Sequence, residues 1–261
     1  MWHNHGTHKF FPRKRGDIMN VPIKPLIVAL AVPTLTAMFS AGAQADEPQC
    51  FFESRSGDSV ECAIYHSEIS NTRAFLETVV NRGKWMRPSK RAVIIDVRST
   101  PEYKAGHPEH AYNVPYPFIY QECTAAGRTV DGACKSGKVS EIAQDPEAFK
   151  QYVESIIPNK DTPIYTMCRT GVRSVAAANR LTEAGYTNVR NMWEGFVGIN
   201  LKAPFDLDDD PATPTVELPV DLNHDGLLTD ADKNGWLYHQ GLPVDKRLLP
   251  KLIYQPRADL Y

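Results

Sequence analysis

An apolar run at 163–167 stops at a cysteine, and helical periodicity begins a few residues later, over 175–184. The stretch between them, 166–174, reads Thr-Met-Cys-Arg-Thr-Gly-Val-Arg-Ser, so Cys168 sits in a tight strand-to-helix loop. Amides at the start of a helix have no carbonyl partners ahead of them. Together with the macrodipole they favour negative charge on whatever they surround. Arg169 and Arg173 add positive charge on either side, and both influences favour a thiolate over a thiol. Cys168 is therefore the candidate nucleophile; the competing reading, an inert buried cysteine, leaves the two flanking arginines without a purpose.

The rest of the central chain alternates strand and helix. Residues 92–98, Ala-Val-Ile-Ile-Asp-Val-Arg, form a β-branched run suited to a strand covered on both faces. Its charged end places Asp96 and Arg98 where α/β folds build their sites. With Glu102 and His107 they are read as an internal network that orders the loop, in preference to direct chemistry. Before this strand, Phe75, Leu76, Val79 and Val80 recur at helical spacing, with Ser67 or Ser70 as N-cap and Gly83 as a stop. After it come a long connection at 116–144, an amphipathic helix at 146–157, the strand leading to Cys168, its helix stopped by Gly185, and a short strand at 188–193. This order predicts an α/β fold, a parallel sheet with helices on both faces.

The chain of 261 residues, 42% hydrophobic, can bury a substantial core. Its start is read differently. Lys9, Arg13, Lys14, Arg15 and Lys24 precede an apolar run at 26–39 that ends in small residues and Ala43-Gln-Ala45. That is the layout of a secretory signal peptide cleaved after Ala45, with Met19 a candidate true start. An uncleaved anchor is disfavoured by the shortness of the run and by Pro33. The leader's His3, His5 and His8 are not read as a metal site. Without residues 1–45 the chain keeps 24 basic and 30 acidic residues, a net charge of about −6, which gives no basis for nucleic-acid binding. The expectation is a periplasmic or secreted protein with no stable membrane anchor. In such an oxidising compartment Cys50, Cys62, Cys123 and Cys134 can pair in three ways. Local pairing is the simplest, stapling 46–64 and the 116–145 insertion, and it leaves Cys168 as the free thiol.

Asp96-Val97-Arg98, Glu102-Tyr103, Gly106-His107, Asn113-Val114-Pro115, the loop Cys168-Arg169-Thr170-Gly171-Val172-Arg173-Ser174, Gly185-Tyr186 and Trp193-Glu194-Gly195-Phe196 together resemble a rhodanese (sulfurtransferase) domain. The resemblance covers roughly 65–203, and the insertion at 116–145 departs from it. It implies that Cys168 takes the outer sulfur of thiosulfate or a similar anionic donor as a persulfide and passes it to a thiol or cyanide, without an organic cofactor. Arg169, Thr170, Gly171, Val172 and Arg173 would form the substrate-binding loop. Two other readings stand beside it: a sulfur carrier or redox-sensing module without turnover, and a Cys-loop phosphatase. The phosphatase pattern is His-Cys-x5-Arg, whereas here Met167 precedes and four residues separate Cys168 from Arg173.

Residues 204–220 are acidic and proline-rich and read as a linker. Beyond them, at 221–232, Asp221, Asn223 and Asp225 stand at positions one, three and five of an EF-hand-like loop. Leu227, Thr229 and a closing Asp232 complete the ligand set, and Gly226 supplies the turn. Asp in place of the closing Glu resembles dockerin-type loops and leaves calcium, magnesium and a metal-free turn open. A structural calcium ion is the expected occupant. The apolar Trp236, Leu237, Tyr238, Leu248, Leu249, Leu252 and Ile253 predict that this tail docks on the main domain, with a protein partner for it as a further expectation.

Overall fold

In the computed structural model, residues 52–56, 59–82, 91–123, 125–135, 140–205 and 215–260 are described. The leader, Cys50, Gly83 and most of the acidic linker lie outside the described residues. The chain opens with an antiparallel hairpin, β1 (Phe52–Ser56) and β2 (Ser59–Ala63), with Phe52 opposite Ala63. The sequence reads this segment as irregular, but Ser59-Val-Glu-Cys-Ala63 alternates in polarity as a strand does. Cys62 is disulfide-bonded.

β3 (Ser67–Ile69) leads into α1 (Asn71–Phe75), whose N-cap Ser70 accepts a hydrogen bond from the Arg73 amide at 3.3 Å. The helix continues as a π-helical turn, Leu76–Val80, where the Asn81 amide reaches Leu76 O. That wider turn changes which residues face inward. Ala74 and Thr78 are buried, while Leu76 and Val80 of the predicted apolar face are 41% and 39% exposed.

There follow β4 (Val93–Asp96), α2 (Thr100–Ala105), β5 (Tyr112–Asn113), β6 (Phe118–Glu122), β7 (Ser140–Ala143) and α3 (Pro146–Ile156). The chain continues through β8 (Ile164–Met167), α4 (Arg173–Glu183), β9 (Val189–Met192), β10 (Lys202–Phe205) and β11 (Val216–Pro219). The central sheet has the order β3-β9-β8-β4-β5 and every pairing in it is parallel. Alternation along each strand divides the core between two faces. Ile95 and Val97 pack with Phe149 and Val153 of α3 and with Val175, Ala178 and Leu181 of α4. Ile94, Tyr165 and Met167 face Ala74 of α1, Tyr103 of α2, Phe196 and Trp236. Helices thus cover both faces, and β4 and β8 at the centre of the sheet deliver Asp96 and Cys168 to the same edge: Asp96 lies opposite Met167 in the parallel register.

The long connection is not a plain loop. β6 and β7 pair antiparallel, and a disulfide between Cys123 and Cys134 closes the segment at the hairpin's far end. The expected linker is also partly ordered, since β10 and β11 pair with Phe205 opposite Val216. Its acidic, proline-rich composition masks the alternating Thr215-Val-Glu-Leu218.

The tail joins the second face of the core. Trp236 is fully buried, edge-on to Phe75 at 5.8 Å, and its indole N–H donates to Pro243 O at 2.9 Å. Leu252 and Ile253 are buried, Leu237, Tyr238 and Leu249 are half-buried, and Leu248 remains exposed. The Tyr254 amide donates to Asn113 O at 2.9 Å, anchoring the chain's end beside β5.

Candidate active site

Cys168 is the first residue after β8 and α4 begins five residues later, so the loop must turn within a single tight circuit. Its sulfur is buried and receives two hydrogen bonds, from the Gly171 amide at 3.1 Å and the Ser174 hydroxyl at 3.3 Å. The same hydroxyl lies 3.1 Å from Gly171 O. With one proton it serves one acceptor at a time, and a charged sulfur is the stronger acceptor. Gly171 is required by geometry: its φ is +88°, and a Cβ there would lie 2.1 Å from Trp193 O. The loop is held from outside by the segment after β9. The Phe196 amide donates to Cys168 O at 2.8 Å and the Val197 amide to Arg169 O at 2.9 Å, while Asn191 Nδ2 donates to Gly171 O at 3.2 Å. Trp236 and Leu237 bond in turn to Gly195 O and Phe196 O, at 3.1 and 2.8 Å.

Three arginines surround the loop, and each is matched by a carboxylate. Arg98 is fully buried and forks onto Asp96, with Nη2 to Oδ2 at 2.6 Å, while its guanidinium lies 3.8 Å over the Phe196 ring. Arg173 forks onto Glu102 at 2.9 and 3.2 Å. Glu102 also accepts from the Ser99 amide and hydroxyl, at 3.0 and 2.9 Å, which ties the start of α2 to the start of α4. Arg169 bonds Asp131 through Nε at 2.9 Å and Nη2 at 3.3 Å. Burial by itself would raise Glu102, but the charge and hydrogen bonds of Arg173, with Arg98 and Ser99, outweigh it and hold the carboxyl below its usual range. Asp131 follows the same pattern, with Arg169 and Thr129 overcoming burial. Burial opposes the charge on Arg173, yet Glu102, Cys168 and Asp96 together raise its pKa.

The residues read as one ordering network fall into separate contacts. Asp96 and Arg98 pair with each other, whereas Glu102 reaches into the cysteine loop. His107 stacks on Tyr103 with ring centroids 3.6 Å apart, and its Nδ1 lies 2.8 Å from Tyr103 O. A carbonyl can only accept, so the proton sits on Nδ1; burial lowers the histidine's pKa against the carbonyl and nearby carboxylates. The structure adds Ser174, Asn191 and Asp131 to the residues read from sequence. Asn113 is a fourth, donating to Asp96 O and Arg98 O at 3.1 and 2.9 Å. Ser174 carries a signal, a hydroxyl six positions beyond the cysteine. Asp131 carries none, because only the fold of the insertion brings it to Arg169.

Residues 81–202 match the profile of the Rhodanese-like domain. Over 126 residues the chain is 32% identical to a Schizosaccharomyces pombe protein named "Putative thiosulfate sulfurtransferase, mitochondrial", covering 47% of this chain and 74% of that one. The chain belongs to the rhodanese-like family. A second relative, "Thiosulfate sulfurtransferase 18" of Arabidopsis thaliana, is 30% identical over 103 residues, covering 40% of this chain and 62% of its own length. A crystal structure from M. tuberculosis superposes with a TM-score of 0.38 at 21% identity, over 70% of this chain and 99% of that one. The rhodanese-like match ends before the 221–232 loop.

In that loop the oxygens engage the loop's own amides. Asp221 accepts from His224 and Gly226, each at 2.7 Å; Asn223 accepts from Asp225 at 3.0 Å and Asp225 from Leu227 at 2.8 Å. Asp232 accepts from Leu222 at 3.0 Å and Thr229 at 2.7 Å. Among the described residues no three His, Cys, Asp or Glu side chains converge to hold a metal ion. Of the expected cysteine pairs, Cys123–Cys134 is formed, Cys168 is free, and Cys50 lies outside the described residues.

Proposed function

We propose that the protein is a rhodanese-type sulfurtransferase that carries sulfane sulfur on Cys168. The carrying observation is the convergence of the Gly171 amide and the Ser174 hydroxyl on one buried sulfur in a loop that opens a helix. These donors stabilise negative charge on the Cys168 sulfur before attack and again when the acceptor restores the thiolate. The Cys168 thiolate attacks the outer sulfur of thiosulfate or a similar donor. The donor's S–S bond breaks, its electron pair leaves with sulfite, and the new bond gives Cys168–S–S⁻. Cyanide then removes the outer sulfur as thiocyanate, or a thiol removes it as R–S–SH, and the Cys168 thiolate is restored. Arg173 and Arg169, each paired with a carboxylate, fix the loop. Sulfur transfer from thiosulfate to cyanide is expected in steady turnover and is lost in Cys168→Ala. A single loading followed by a stall would instead identify a carrier or sensor.

The proposal extends to setting and tail. A periplasmic or secreted location is supported by the leader-like start and by the Cys123–Cys134 bridge. Calcium in the 221–232 loop is supported by the spacing of its oxygen donors. Among the described residues no three His, Cys, Asp or Glu side chains converge, so Asp221, Asn223, Asp225 and Asp232 would have to turn from the loop's own amides to hold the ion. A rise in melting temperature with calcium, reversed by chelator, is the expected result; no change with either defines a metal-free turn.

A further inference from the structure

The charge balance around Cys168 differs from what the sequence of the loop suggests. Read alone, Cys168-Arg169-Thr-Gly-Val-Arg173 carries two positive charges for an anionic donor. In the folded protein both are cancelled at contact distance, Arg173 by Glu102 and Arg169 by Asp131, and the neighbouring Arg98 by Asp96. A paired charge falls off as a dipole and attracts a distant anion far less than a free guanidinium does. Glu102 and Asp96 belong to the fold's own framework, since Glu102 ties α2 to the loop and Asp96 holds Arg98 at the end of β4. Asp131 is different: it comes from the insertion, from the segment between Cys123 and Cys134.

That segment is built to hold the carboxylate in place. Asp131 is 5% exposed. The next residue, Gly132, packs so closely on α2 that a Cβ would lie 2.3 Å from Pro101 O. Arg128 braces the turn from within, donating to Gly132 O at 2.9 Å and Gln121 O at 3.1 Å. The Thr129 amide bonds Ala133 O at 2.8 Å. A carboxylate fixed this firmly against Arg169 weakens the attraction of the site for a dianion and changes little for a donor of low charge.

We infer that Asp131 is a specificity-determining residue that turns the Cys168 site away from the thiosulfate dianion and toward organic hydropersulfides, R–S–SH. This rests on the sulfurtransferase reading of Cys168. The step balances without a further reactant: the Cys168 thiolate attacks the outer sulfur of R–S–SH, the donor S–S bond breaks, and the proton leaves with R–S⁻ as R–SH. Cys168–S–S⁻ remains.

The test compares single-turnover loading of Cys168, read by intact mass, with thiosulfate and with the hydropersulfide of 2-mercaptoethanol, in the full chain. Asp131→Asn should raise the ratio of thiosulfate to hydropersulfide loading rates about tenfold, and added salt should shrink that gain. Asp131→Glu, which keeps the charge, should stay near the wild-type ratio, and melting curves of each variant report whether the loop has kept its fold. An unchanged ratio in a folded Asp131→Asn variant overturns the inference while leaving the sulfurtransferase reading intact. If neither donor loads wild-type Cys168, that reading itself fails.

Discussion

Glu102→Gln tests how the loop is held. Glu102 is 1% exposed and accepts four hydrogen bonds, two from Arg173 and two from Ser99. Glutamine keeps one acceptor oxygen and turns an NH₂ group toward a guanidinium, so the charge pairing is lost. Removing one partner of a buried pair costs about 3–5 kcal/mol. The Arg173 side chain is 24% exposed, so water relieves part of its unpaired charge and the lower end, about 3 kcal/mol, is expected. For a domain of this size that is a drop of roughly 6–12 °C in melting temperature at neutral pH. The pH dependence follows from the depressed carboxyl pKa. The stabilisation is fully present above the unfolded value of about 4.3 and is lost as pH falls through the folded value. Thermal unfolding followed by circular dichroism across a pH series should therefore show a gap between wild type and variant that is constant above about pH 5 and closes in acid. A variant within about 2 °C of wild type at neutral pH, or a gap that persists unchanged into strong acid, would refute the reasoning.

Gly171→Ala places a Cβ against Trp193 O in a left-handed residue, at a backbone cost of about 1–2 kcal/mol before the collision is counted. Loading of Cys168 by thiosulfate should fall at least about tenfold in stopped mass measurements, since a ~1.4 kcal/mol misplacement is already that large. Trp236→Ala removes the largest side chain of the second face. It should cost about 3–5 kcal/mol, seen as a lower denaturation midpoint, and it should slow loading because the buried indole seats the backbone whose 236 and 237 amides hold Gly195 and Phe196 behind the loop.

What the sequence discloses here depends on range. The Cys168 loop, the strand ending in Asp96 and the face of α3 are each written in a few adjacent residues, and all recur in the fold. Local competition hides other features: a π turn after α1 moves Leu76 and Val80 outward, and short alternating runs in β1, β2, β10 and β11 are masked by polar or proline-rich neighbours. The pairing of Asp131 with Arg169 spans 38 residues and depends on the hairpin and the bridge that close the insertion. No local pattern encodes it. The same is true of Trp236, whose apolar character is plain but whose place behind Gly195 is set only by tertiary packing.

The central claim is that Cys168 holds a transferable sulfur. Intact mass of the purified protein after excess thiosulfate, with and without reductant, addresses it most directly. The account predicts a gain of the mass of one sulfur atom that maps to the peptide containing Cys168, is removed by cyanide or thiol, and is absent in Cys168→Ala. No gain from thiosulfate or from the hydropersulfide of 2-mercaptoethanol, or the same gain in Cys168→Ala, would contradict it.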